Sequence, residues 1–164
     1  MNTHHHDEAT KAVDFRLLTI SSQAFIHEGF IPVRYTCEGD DINPPLDIAN
    51  IPEEAKSLAL IVEDPDAPRG TWVHWTVWNI PVTHHLKEHA VHGTEGWNDF
   101  RRHAWGGPCP PSGTHRYFFK VYALDSLLDL PGGSKKEDLE KAMSSHILAF
   151  GEIIGLYKKQ SPRT

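Results

Sequence analysis

The sequence predicts a mainly β protein, built as a β-sandwich with one added helix. Three observations indicate this class. Twelve glycines and twelve prolines are spread along the 164 residues and divide the chain into short segments. Between them lie short apolar runs, several of them rich in β-branched and aromatic residues, which is typical of strands joined by shaped loops. One segment keeps the apolar spacing of a helix.

The clearest predicted strands lie in the middle of the chain. Residues 57–63, Ser-Leu-Ala-Leu-Ile-Val-Glu, form a continuous apolar run of strand length, as expected for a strand buried on both faces. Residues 71–80 are rich in aromatic and β-branched side chains and predict a neighbouring strand after a stiff turn at 64–70. Further extended segments are predicted at 15–20, 30–37 and 115–124, and 152–157 fits either a last strand or a helical turn.

The predicted helix begins near residue 134. Ser134-Lys135-Lys136-Glu137 matches the capping box S-x-x-E, in which a hydroxyl and a carboxylate satisfy the first free backbone N–H groups. The apolar residues that follow at helical spacing are Leu139, Ala142, Met143 and Ile147. This pattern predicts a helix that packs on a sheet.

The chain contains no internal repeat and no linker, so a single domain over residues 14–164 is expected. Residues 1–13 are polar and His-rich and are predicted to be a disordered tail. The triple histidine in this tail is not interpreted as a metal site.

Composition excludes several classes of protein. The formal net charge of -6 argues against a nucleic-acid partner, and no apolar run approaches the roughly 20 residues that span a bilayer. The N-terminus lacks the cationic start and apolar run of a secretory signal. With two cysteines, Cys37 and Cys109, a disulfide scaffold is not expected. These observations favour a cytoplasmic location.

Three segments concentrate residues that could carry chemistry. In Asp64-Pro65-Asp66-Ala67-Pro68, two prolines hold the carboxylates in a stiff turn at the end of a strand. His74 interrupts an apolar strand, and His115 and Tyr117 are predicted to share one side of another strand. The Gly- and Pro-rich loop at 105–114 could let a ligand approach the backbone closely.

Each of these residues also has a purely structural interpretation. Asp64 could cap its own turn, and His74 could be a satisfied core histidine. Together, however, they indicate a pocket with one carboxylate and two imidazoles. An aspartate beside His74 and His115 would favour their charged forms, and imidazolium groups with backbone N–H donors suit a phosphate or carboxylate ligand.

The order of these motifs resembles that of a known family. They are Asp64-Pro65-Asp66-Ala67-Pro68, Trp72-x-His74, Gly107-Pro108-x-Pro110-Pro111 and Gly113-Thr114-His115-Arg116-Tyr117. The likeness covers about 15–157 and is to the phosphatidylethanolamine-binding protein (PEBP) family, in its bacterial and archaeal branch of Raf-kinase-inhibitor-like proteins. Val73 stands where many eukaryotic members have histidine, so their inhibitory roles are not carried over directly.

The resemblance implies a Greek-key antiparallel β-sandwich with a C-terminal helix and an anion-binding pocket at one end. It implies that the pocket takes phosphate-bearing headgroups, acetate-like anions or some nucleotides. No cofactor is expected. Some members inhibit kinases or serine proteases, which makes such an enzyme an expected partner, and the Trp- and Pro-rich loops would suit a homodimer face. The ligand-binding residues carried over by motif are Asp64, Trp72, His74, Gly107, Pro108, His115 and Tyr117.

Three catalytic alternatives stay open at the level of the sequence. A small metal-dependent hydrolase could hold zinc on Asp64, His74 and His115, since two histidines and a carboxylate can bind zinc. The segment His85–His89 matches the zinc-peptidase pattern H-x-x-E-H but is polar and lacks an apolar helix face. A hydrolase could use Ser112 or Cys109 as its nucleophile. The proline neighbours of Cys109 favour a packed thiol instead, and a bridge to Cys37 is not expected in a reducing cytosol. We therefore predict a binding or regulatory protein without catalytic residues.

Overall fold

A computed structural model describes residues 16–160. The predicted disordered tail at 1–13 lies outside this range. The described elements are β1 (Arg16–Leu17), β2 (Thr19–Ser21), β3 (Gly29–Phe30), a 3-10 turn (Val33–Tyr35), β4 (Leu46–Ala49), β5 (Ser57–Asp64), β6 (Trp72–Ile80), β7 (His85–Leu86), β8 (Thr94–Glu95), β9 (Thr114–Leu124), α1 (Lys136–Met143) and β10 (Ile147–Lys158).

Two sheets form the sandwich. The larger has the strand order β1-β10-β9-β5-β6-β8, with β3 also paired to β10, and the smaller has the order β2-β4-β7. The long strands β5, β6, β9 and β10 pair antiparallel, whereas the short strands β1 and β3 run parallel to β10. The mainly β fold with an added helix is thus confirmed.

The central strand β5 has apolar partners on both faces, as the continuous apolar run predicted. Leu58, Leu60 and Val62 belong to the core between the two sheets, and Ala59 and Ile61 belong to a second core on the other face. Alternation of side chains along a strand explains this division. Asp64 continues the row that faces the sandwich core, so its carboxylate is directed inward at the end of β5.

Helix α1 covers the second face of the large sheet through Leu139 and Met143. Its first turn differs from the prediction. The residue before the helix is Lys135, whose backbone N–H donates to Asp138 at 3.1 Å, and the Ser134 hydroxyl donates instead to a carbonyl outside the helix. The capping residues are therefore shifted by one position. Ile147 was predicted on the helix but begins β10.

The segment 152–157 belongs to strand β10, so the helical alternative is wrong. Eleven residue pairs join β10 to β9, from Ile147 opposite Leu124 to Lys158 opposite Thr114. Helix α1 consequently precedes the last strand of the sheet. No helix among residues 16–160 has both the length and the apolar character needed to cross a membrane.

Candidate functional site

The residues that the sequence predicted to carry chemistry lie together at one end of the large sheet. Strand β5 is antiparallel to both β6 and β9, so the end of β5 lies beside the start of the other two strands. A cavity of about 240 Å³ lies at this point. Its lining consists of Asp64, Ala67, Pro68, Trp72, His74, Phe100, Cys109, Pro110, Pro111, His115 and Tyr117.

Asp64 and His115 form a buried pair in the cavity wall. The Nδ1 atom of His115 lies 2.6 Å from Oδ2 of Asp64, and the two residues are 6% and 3% exposed. A carboxylate oxygen accepts, so Nδ1 carries the proton. The other nitrogen of His115, Nε2, is then the ring atom that can meet a ligand. The pairing fixes the orientation of the imidazole, as a carboxylate does in catalytic and metal-binding histidines.

Asp64 also forms the turn that the structural interpretation proposed. Its Oδ1 accepts the backbone N–H of Asp66 at 2.7 Å, which is an Asx-type contact two residues along the chain. Asp66 in turn accepts two hydrogen bonds from the guanidinium of Arg116, at 2.9 and 2.8 Å, and one from its backbone N–H. This bidentate contact lowers the pKa of Asp66 and holds the turn against the start of β9. The turn therefore aligns Asp64 with His115.

His74 occupies an irregular position in β6. In the pairing of β5 with β6, Val73 lies opposite Glu63 and Trp75 lies opposite Val62, so His74 is left without a partner in the ladder. This extra residue is a β-bulge, which re-aims side chains next to it. The bulge allows Trp75 to face the sandwich core while the adjacent His74 lines the cavity.

His74 is held as a neutral imidazole. Its Nδ1 lies 2.6 Å from the carbonyl oxygen of Gly106, which can only accept, so Nδ1 donates. Burial of this ring, which is 3% exposed, lowers its pKa because the charged form loses its hydration. Asp64 raises the pKa of His74, as expected, but burial outweighs this effect, so the expectation of a charged imidazole is wrong for His74. Its Nε2 presents a lone pair, which accepts a hydrogen bond.

Tyr117 supplies a hydroxyl to the cavity lining. The backbone of Cys109 lies near this buried oxygen, but no described residue meets it with the geometry of a hydrogen bond. Burial and the negative charge of Asp64 both raise the pKa of Tyr117, so the hydroxyl keeps its proton at neutral pH. A buried hydroxyl without a partner destabilises the fold unless a water molecule or a ligand group forms the missing hydrogen bond.

Aromatic rings form one side of the cavity. The Phe100 ring makes edge contacts with Trp72 at 5.5 Å and with His74 at 5.2 Å between ring centroids. Asn98 fixes the loop that carries Phe100, because its amide donates to the His74 and Ala104 carbonyls and its oxygen accepts the Phe100 N–H. Trp72 is 38% exposed, so it stands at the rim.

Two predicted residues are not in the lining. Gly107 donates its backbone N–H to the Asp41 carboxylate at 2.9 Å, and a side chain at this position would collide with Tyr35 and Asp41. Pro108 accepts the backbone N–H of Cys37 at 3.1 Å. Both residues therefore attach the neighbouring loop to the segment 35–41. The predicted residues that the structure does place in the lining are Asp64, Trp72, His74, His115 and Tyr117.

Cys37 and Cys109 form a disulfide bond, so the expectation of a packed free thiol at Cys109 is wrong. Their distance of 72 positions in the sequence gave no indication that the loops would meet. The folded chain brings the two Cα atoms within 5.5 Å, a separation that a disulfide spans. A bonded Cys109 offers no thiolate, which excludes Cys109 as a nucleophile in this oxidised form.

The sequence interpretation did not select Phe100 or the prolines of the lining. Pro68, Pro110 and Pro111 were present in the motifs as stiff loop residues, and Phe100 follows an Asn-Asp pair. Nothing in the local sequence shows which of these side chains face a cavity that belongs to three separate segments. The prolines shared only their position within the quoted motifs.

The metal alternatives do not fit the geometry. Within 16–160 no group of three or more His, Cys, Asp or Glu residues is arranged to hold a metal ion, and this includes Asp64 with His74 and His115. In the H-x-x-E-H segment, His85 contacts Asp47 at 2.7 Å, while Glu88 binds Arg34 and the Tyr35 hydroxyl. The segment contains a strand instead of the helix that this pattern requires.

Comparisons with known proteins agree with this architecture. The crystal structure of a phosphatidylethanolamine-binding protein homologue from Chlamydia trachomatis superposes with a TM-score of 0.85 at 43% identity, covering 88% of this chain and 99% of the other. The crystal structure of E. coli YbcL, described as a member of the mammalian PEBP family, gives a TM-score of 0.80 at 31% identity, covering 87% and 99%.

Sequence relatives extend over the same region. A UPF0098 protein of Pyrococcus abyssi is 50% identical over 150 residues, covering 85% of this chain and 84% of the relative. One from Methanothermobacter thermautotrophicus is 47% identical over 150 residues, covering 87% and 99%. The sequence model of the phosphatidylethanolamine-binding protein family matches residues 21–158. With that match across nearly all of the described sandwich and its cavity, the chain belongs to the phosphatidylethanolamine-binding protein family.

Proposed function

We propose that the chain binds a small phosphate ester or a related anion in the cavity between β5, β6 and β9. The observation that carries this proposal is the convergence of the buried Tyr117 hydroxyl with the imidazoles of His74 and His115 in one cavity lining. The Tyr117 hydroxyl has no partner among the described residues, and His74 and His115 each direct one nitrogen into other contacts and leave Nε2 for a ligand. Such convergent polar groups in an apolar cavity are typical of small-ligand sites.

The protonation states of these groups suit a partly protonated phosphate. Tyr117 keeps its proton and donates. In its doubly protonated form His115 can donate from Nε2, while its Nδ1–H stays on the ring and donates to Asp64. The neutral His74 accepts from Nε2 instead. A phosphate monoester that retains one P–OH group offers both acceptor oxygens and a donor. It can therefore form hydrogen bonds with all three side chains.

The cavity wall limits the size and shape of the ligand. About 240 Å³ accommodates a headgroup-sized molecule and leaves a longer chain to extend past the rim. Trp72 and Phe100 form an apolar wall against the non-polar part of such a ligand. Regulation of a kinase or a serine protease is part of the same proposal, and the exposed Trp72 is the rim residue that would contact the partner. The cytoplasmic location stays a prediction.

Calorimetric titration tests the proposed site. Phosphoethanolamine, inorganic phosphate and acetate are titrated into the wild-type chain, into His115→Ala and into His146→Ala. His146 is the matched control, because its Nδ1 also contacts an aspartate, Asp125, at 2.7 Å, but it is not in the cavity lining. We expect binding to the wild type, unchanged binding to His146→Ala, and at least a tenfold loss with His115→Ala.

Two results would contradict the proposal. The first is heat of binding that is the same for His115→Ala and the wild type, which would place the ligand elsewhere. The second is no detectable binding of any of the three probes to the wild type at millimolar concentration. Circular dichroism of each variant confirms that a loss of binding is not a loss of fold.

A further inference from the structure

We propose that the Cys37–Cys109 disulfide is a site of thiol–disulfide exchange with a dithiol reductant, and that its reduction weakens ligand binding in the cavity. This inference rests on the proposed function. Cys109 is itself part of the cavity lining, and both cysteines of the bond are exposed to solvent. An exposed disulfide can be reached by a reducing thiol, whereas a buried one is protected.

The cavity rim beside Cys109 has few other attachments. Pro108, Pro110 and Pro111 lack a backbone N–H and cannot donate a hydrogen bond. Among the described residues, no backbone-to-backbone hydrogen bond outside the regular elements involves residues 109–113. The disulfide is therefore the strongest link that holds this five-residue segment in place.

The remaining attachments of the loop lie just before this segment. Cys37 donates its N–H to Pro108 at 3.1 Å, and Gly107 donates its N–H to Asp41 at 2.9 Å. These bonds keep residues 107 and 108 against the segment 37–41 after reduction. We therefore expect that reduction makes the backbone more mobile from residue 109 toward β9. Residues 107 and 108 should stay bound to the segment 37–41.

The freed segment leads directly into the ligand-binding residues. Gly113, whose φ of 72° lies in the left-handed region, precedes β9, in which His115 is the second residue. Cys109, Pro110 and Pro111 form the rim of the cavity on this side. With the disulfide intact, this rim is already ordered when a ligand arrives. After reduction, binding must also order the rim, which costs conformational entropy and lowers affinity.

The exchange is an ordinary two-electron reaction. A thiolate of the dithiol attacks Sγ of Cys109, the bond to Cys37 breaks, and the Cys37 thiolate takes a proton from water. The second thiol of the reductant, as its thiolate, then attacks the mixed disulfide and releases Cys109, which is also protonated. The protein gains two thiols, and the reductant leaves as its own disulfide. Reoxidation by a disulfide of the same class reverses each step.

The experiment compares the oxidised and reduced forms of the full chain. Phosphoethanolamine is titrated into the untreated protein, into protein reduced with dithiothreitol, and into protein reoxidised with the cyclic disulfide of dithiothreitol. Thiol counting with a chromogenic disulfide reports the state of the bond. We expect at least a tenfold weaker affinity after reduction and full recovery after reoxidation. The double variant Cys37→Ser with Cys109→Ser should bind weakly and show no response to the reductant.

A second measurement does not depend on the ligand. Hydrogen exchange of backbone amides is followed in both forms without phosphoethanolamine. Reduction should accelerate exchange at residues 112–115 and leave the central strand at 57–63 unchanged. If the untreated protein binds no probe, the proposed function fails, but this measurement still shows whether reduction loosens the rim.

Three results would overturn the inference. Affinities that agree within a factor of two in the oxidised and reduced forms would show that the bond does not control the cavity. A bond that resists dithiothreitol in the folded protein would show that it does not exchange. Loss of the near-ultraviolet circular dichroism on reduction would show that the bond supports the whole fold instead of the rim.

Discussion

The carboxylate of Asp64 and the imidazole of His115 meet at 2.6 Å across 51 positions of sequence. Asp64 ends strand β5 and His115 begins strand β9, and these strands are antiparallel neighbours. The sheet thus brings the pair together, and the Asp66–Arg116 contact holds the turn that follows β5 against the start of β9. Both oxygens of Asp64 accept from N–H donors, one from His115 and one from Asp66.

Replacement of Asp64 by asparagine should lower the free energy of unfolding by about 1–3 kcal/mol, the cost of a buried polar group left without its partner. In asparagine one of the two carboxylate oxygens is replaced by an NH2 group, which cannot accept, so one of the two donors loses its acceptor. Urea denaturation measures the change. Asp66→Asn is the control in the same turn, because its partly exposed contact with Arg116 should cost about 1 kcal/mol or less. Equal losses in the two variants would contradict the special role of Asp64.

His74 should make the protein less stable in acid. Its pKa is lowered in the folded state by burial, whereas an unfolded histidine takes up its proton near pH 6.5. Below that pH the unfolded chain therefore binds more protons than the folded chain, and the free energy of unfolding falls as the pH decreases. His74→Asn keeps a donor for Gly106 and removes the titration. Its free energy of unfolding should fall less steeply between pH 6.5 and 5, and a slope equal to that of the wild type would refute this account.

Tyr117→Phe should weaken ligand binding without lowering the free energy of unfolding. Removal of a hydroxyl that has no partner among the described residues should leave the free energy of unfolding unchanged or raise it by up to about 1 kcal/mol. Affinity for phosphoethanolamine should fall about tenfold, because the hydroxyl is proposed to donate to the ligand. Tyr122→Phe is the control, since Tyr122 lies on the same strand but packs against Phe150 away from the cavity. A Tyr117→Phe variant that binds as tightly as the wild type would remove Tyr117 from the site.

Loss of the disulfide should reduce stability even where the fold persists. A bond that closes a loop of 72 positions restricts the unfolded chain, and the chain-entropy relation gives about 4 kcal/mol for its removal. The double serine variant should therefore unfold at a lower urea concentration, with a cooperative transition, because neither cysteine belongs to the two apolar cores. An unchanged midpoint would show that the hydrogen bonds of Pro108 and Gly107 alone hold the loops.

The polar residues of the site were predictable because each lies in a segment with an unusual local pattern. A proline-bounded acidic turn, a histidine within an apolar strand and a His-x-Tyr pair before a strand are visible in the order of residues alone. Their convergence was inferred from their occurrence together and from the resemblance to the family, since local patterns do not say which strands become neighbours. Phe100 was missed for the same reason, as its position depends on the Asn98 contacts with β6.

By itself, the sequence determined the class of fold, the strands at 57–63 and 71–80 and the identity of the polar residues, because strand period and turn chemistry are local properties. Tertiary structure alone decided the disulfide, the neutral state of His74 and the separation of Gly107 and Pro108 from the cavity lining. Each of these depends on groups far apart in the chain. The bulge at His74 exists only in the pairing of β6 with β5, and the charge of its ring depends on how much water the assembled sandwich excludes.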